Sequence, residues 1–257
     1  MEFLVRYGFG IIFGLLGSVG LFMIQSISSK GTYALFVCGW FLVMSLIYVW
    51  LIRFLRRGVY EFALSVSMML GCLSLVSVVG SPGIRLFLVL FLGSCLFFLA
   101  SFGLYRDQYA AYAQKPIRRA MMMMWVFVVF SSLCSVFAFT LFFPTWSFLL
   151  LSLSGAFVCS VVSFFIWQMY TSFSFRRFFL WLLVVAFIMI EIMWVMRLLP
   201  FGYLLLGFLA TWVWYVMQLL LRFHFSPNGI MWKKQFSFLL TNGLFFIVFL
   251  IYLARWV

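Results

Sequence analysis

The run 178–200, FFLWLLVVAFIMIEIMWVMRLLP, sets the terms for what this chain can fold into. It follows a basic doublet, Arg176-Arg177, stays almost wholly apolar for the roughly 20 residues that a bilayer-crossing helix needs, and stops at a proline. The rest of the chain repeats the theme. With 68% hydrophobic and only 8% charged residues, it lies far from the soluble norm of about 45–50% apolar and 25% charged, which excludes a water-soluble core. At about 20 apolar residues per crossing, the length holds about nine spans joined by short turns.

The expected fold is therefore all-α, a polytopic transmembrane bundle forming one integral membrane domain over 1–257. Its spans are expected near 7–27, 33–52, 59–79, 86–105, 120–143, 147–170, 178–199, 201–221 and 235–254. Turn chemistry supports the divisions: Gly80-Ser81-Pro82-Gly83, Pro144, Pro200 and Ser226-Pro227-Asn228-Gly229 all interrupt apolar runs. Arg6 precedes an apolar run too long for the core of a cleaved leader, so span 1 is expected to be a permanent helix.

The excess of 17 basic over 4 acidic residues would suit a nucleic-acid binder, but its distribution does not. The charges are spread among the turns, where they fix orientation and meet anionic headgroups. Taken over alternate turns, 13 fall on one side and 4 on the other, which places the N-terminus inside and the C-terminus outside. Arg56-Arg57, Arg118-Arg119, Arg176-Arg177 and Lys233-Lys234 stand before spans 3, 5, 7 and 9 and are the expected headgroup contacts. Topology rules alone produce such doublets; duplicated hairpins are the alternative. Tyr105, Tyr109 and Tyr112 recur on one helical face, so 105–114 is expected to lie as a helix along the headgroups or to fray from span 4.

Packing inside the bilayer is marked by small residues. Gly10, Gly14 and Ser18 in span 1, and Ser152, Ala156 and Ser160 in span 6, recur every fourth residue and allow close helix approach, or association with a membrane partner or second copy. The five cysteines lie in apolar spans without a CxxC pair and read as small packing residues. With one histidine and four scattered acids, neither a metal site nor a cofactor is expected.

Glu191 is the acidic residue set deepest in an apolar span, about 20 Å along the helix from Phe178. An ionisable group at that depth costs about 2.5–3.5 kcal/mol or more, so it should turn into the bundle and find a partner. Arg197 lies about 240° around the helix from it and is not that partner. Thr211 is at matching depth if spans 7 and 8 form a hairpin. Asn242, Gln168 and Gln218 are further intramembrane polar groups expected to join helices. At the inner interface, Glu61, Asp107 and His224 are the groups from which an acid–base pair could be built.

The pattern Glu191-Ile-Met-Trp194, then Leu199-Pro200-Phe201 and Trp214-Tyr215, resembles uncharacterised multi-pass membrane proteins of small-genome bacteria. The resemblance spans about 30 residues and implies a bacterial cytoplasmic membrane setting, with no activity attached. Three functions remain open on the sequence: non-enzymatic handling of a lipid or small solute or support of an envelope assembly, proton-coupled transport through Glu191, and headgroup chemistry at the inner interface.

Overall fold

The computed structural model describes residues 2–27, 29–55, 59–102, 115–170, 175–225 and 232–253, and among them the chain forms helices joined by short turns. The helices are α1 Glu2–Ser26, α2 Lys30–Leu55, α3 Val59–Val78, α4 Pro82–Phe102, α5 Lys115–Phe142, α6 Phe148–Tyr170, α7 Phe175–Arg197, α8 Tyr203–His224 and α9 Trp232–Leu253. Eight, α1 to α8, contain runs long and apolar enough to cross a membrane; α9 adds a shorter described apolar run, Leu239–Val248. The protein is a multi-pass integral membrane protein.

Several helices extend past the expected spans because flanking residues suit helix ends. α4 starts at Pro82, a residue read from sequence as part of the turn. Proline's fixed φ and missing N–H cost nothing in a first helical turn. The α3–α4 turn is closed by Arg85, whose Nε donates to the Val79 carbonyl at 2.6 Å and so occupies one of the carbonyls left over at the end of α3. α8 runs on through Arg222 and His224, taking both out of the loop and into its last turn. The tyrosine segment 105–114 lies outside the described residues.

The chain divides into two compact units, Met1–Ser131 and Ser132–Val257, with the boundary inside α5. In the first unit α1 packs most extensively on α4. The stripe expected from sequence forms this seam: a Cβ on Gly14 would lie 2.7 Å from the Gly93 carbonyl oxygen, and one on Gly93 would strike the Ser18 hydroxyl. That hydroxyl donates across the seam to Val89 O at 3.1 Å. Gly20 receives the Trp40 indole of α2, whose Nε1 donates to Leu16 O at 3.4 Å. Lipid is as apolar as leucine, so close contact and such hydrogen bonds, rather than hydrophobic burial, hold the helices together.

In the second unit α6 packs chiefly on α7. Ser152 and Ala156 are buried, and the Ser160 hydroxyl donates to Leu182 O of α7 at 3.1 Å. Between them Gly155 admits the Met193 sulfur, 3.0 Å from where its Cβ would be. Gly207 of α8 lies against the backbone of Cys134, with N at 2.8 Å and Cα at 2.9 Å from a notional Cβ. Four cysteines, Cys72, Cys95, Cys134 and Cys159, are buried packing residues as expected; Cys38 is exposed.

Candidate functional site

On α7 the buried face carries Phe178, Val185, Met189, Met193 and Met196, spaced at helical intervals. Glu191 is not on that face. It is exposed, in line with Leu180, Val184, Phe187, Trp194, Val195 and Leu198 on the opposite side of the helix. This corrects the expected inward orientation. Between its terminal arginines α7 is apolar all round except at Glu191, so a single residue is the only contrast in polarity that could mark which side meets the neighbouring helices.

The expected partner is engaged elsewhere. Thr211 is buried, and its hydroxyl donates to Gly207 O at 2.7 Å in its own helix. Arg197 is also turned away, its guanidinium lying 4.6 Å from the centre of the Phe148 ring. Trp194 meets the same Phe148 edge-on, with ring centroids 5.1 Å apart.

The polar groups that do converge lie in the α6–α8 seam, around a residue the sequence did not single out. Ser163 Oγ accepts hydrogen bonds from Trp214 Nε1, at 3.3 Å, and from Gln218 Nε2, and donates to Cys159 O. All three side chains are at least 96% buried; Gln218, at 4% exposed, is the least so. Gln218 thus joins helices as expected, whereas Gln168 is exposed and joins none by a described bond. With its proton given to a carbonyl and its oxygen accepting two N–H groups, Ser163 is a structural clasp rather than a nucleophile. Gln218 Oε1 is the one acceptor of this cluster left without a partner among the described residues.

At the inner-interface positions, Glu61 is buried, at 2% exposure, near the start of α3, where Ser65 donates to its backbone carbonyl at 2.9 Å. Beside it, Tyr60 OH accepts the Trp125 Nε1 hydrogen. His224 is exposed at the end of α8, its ring 5.0 Å from Trp181. Asp107 lies outside the described residues. Asn242 is half-buried on α9. Arg118, Arg119 and Arg176 are exposed. Arg56 and Arg57, and the side chains of Arg177, Lys233 and Lys234, lie outside the described residues. Among the described residues no three His, Cys, Asp or Glu side chains gather as metal ligands would.

A groove of about 370 Å³ runs between α1 and α4, floored by Gly14 and Gly93 and walled by Ile11, Leu15, Leu90 and Phe97. Its two hydroxyls are already used, Ser18 on Val89 O and Ser94 on Leu90 O at 2.9 Å, so a guest would meet an apolar surface. Comparison with known protein families, with curated proteins and with solved structures finds no match to this chain.

Proposed function

We propose that the protein is a non-enzymatic membrane subunit that supports an envelope assembly, with its N-terminus inside and C-terminus outside a bacterial cytoplasmic membrane and α9 as a ninth span. The observation that carries this reading is how polar side chains at the helix seams are used. Ser18, Trp40, Ser160, Trp214 and Gln218 each bond across a helix seam, which fixes the helices against one another. The carboxylate that a proton relay would use stands on the outer face of α7.

Reconstitution tests the reading directly. Liposomes containing the purified chain should pass protons and small solutes no faster than empty liposomes under an imposed pH gradient. A photo-crosslinking residue at Phe187, in native membranes, should give adducts with protein. Proton flux lost in Glu191→Gln would establish the transporter instead.

A second reading, lipid handling, draws support from the α1–α4 groove, whose volume and apolar walls suit part of an acyl chain. Photoactivatable phospholipid should then label Ile11 and Leu15 in preference to the still more exposed Leu180; uniform labelling would remove it.

A further inference from the structure

We propose that the outer stripe of α7 is a docking face for a transmembrane helix of another protein that carries a basic side chain at the depth of Glu191. This rests on the supporting-subunit reading and names the partner's chemistry. Apart from the acid, the stripe consists of large exposed apolar side chains, from Val184 at 42% exposed to Leu198 at 83%. Glu191 is 13 positions beyond Phe178, the start of a 20-residue membrane-crossing run, and six short of its end at Arg197. A carboxylate there is about 9 Å of helix from the outer end, a depth at which leaving it bare to acyl chains is costly.

Charge decides among occupants. A second copy packed in parallel about a two-fold axis would bring Glu191 to its own counterpart, setting two acids together in a low-dielectric medium. The bases of this chain lie at its helix ends and turns, so no copy in parallel offers a cation at that depth. A lipid phosphate is anionic and sits farther out. A Lys or Arg on a foreign helix satisfies the carboxylate, and the flanking Phe187, Trp194 and Val195 supply the packing that helix association in lipid requires. A basic residue within a span bears the same burial cost and is relieved by the same pairing.

The test uses the full-length chain in liposomes and three synthetic host helices of Leu and Ala. They carry Lys, Leu or Glu at the one position that matches Glu191, and association is read by energy transfer. The Lys helix should bind the native chain about three- to twentyfold more tightly than the Leu helix, the range found for single polar contacts between membrane helices. Glu191→Gln should remove most of that preference while leaving helix content and melting temperature unchanged. Glu191→Lys should transfer the preference to the Glu helix; if that variant fails to fold, the Gln variant alone decides. Equal binding of the Lys and Leu helices to the native chain overturns the proposal. So does cross-linking of Val195→Cys on one copy to the same residue on another, since a second copy would then cover the stripe. Neither result bears on proton flux, which judges the supporting-subunit reading separately.

Discussion

At the α6–α8 seam the oxygen of Ser163 holds two N–H groups at once, so deleting it strands both. Ser163→Ala should lower stability by about 1–3 kcal/mol, measured as a drop in the thermal midpoint in detergent. Adding Gln218→Leu should cost less than the two single changes summed, because one stranded donor goes with it. Glycines permit a sharper comparison. Gly14→Ala would press a methyl onto a backbone carbonyl, which cannot move aside as a side chain can, and should cost about 1–3 kcal/mol. Gly39→Ala meets nothing within 4 Å and should be neutral or stabilising by up to about 1 kcal/mol, since alanine is the better helix former. Equal effects at the two sites would show that helix propensity, not the α1–α4 contact, sets the response. Little of this was legible in sequence. Gly10, Gly14 and Ser18 announce a packing face by their spacing, but Ser163 lies among other serines of span 6 with nothing local to mark it.

Helix existence was readable because apolar length is a one-dimensional property; helix pairing was not, because it joins residues far apart in the chain. The partner of the α1 stripe proves to be α4, and the sequence hints are small groups in an otherwise bulky run, Gly93-Ser94-Cys95 against Gly14 and Ser101 against Gly10. The same limit hid the seats of Gly155 on Met193 and of Gly207 on Cys134. It also misdirected Glu191: cost argued for an inward carboxylate, yet α7 carries its methionines inward and the acid outward. At this scale Gly93→Leu should part α1 from α4. Amide hydrogen exchange should then rise in both helices and stay unchanged in α6 and α7, which lie in the other compact unit. Exchange rising equally in all four would show that the two units open as one.

For the whole molecule, eight helices among the described residues are long and apolar enough to cross a membrane, while the proposed orientation rests on the charge asymmetry of 13 against 4 basic residues. Reporter fusions after Arg57, Arg119, Arg177 and Lys234 should all read as cytoplasmic. A periplasmic signal from any of them would break the alternation, and a fusion after Val257 that reads as cytoplasmic would remove α9 as a crossing.

The distribution of sulfur gives the protein a built-in clock for its own opening. Cys38 is accessible on the folded surface, whereas Cys72 and Cys95 are enclosed in one compact unit and Cys134 and Cys159 in the other. A membrane-permeant thiol reagent should tag one site quickly and the remaining four only as their surroundings loosen. Peptide mapping over a denaturant series would then time each unit separately, using native side chains alone. Two pairs reacting in step would mark a single cooperative protein; two distinct half-times would mark two halves that come apart in turn.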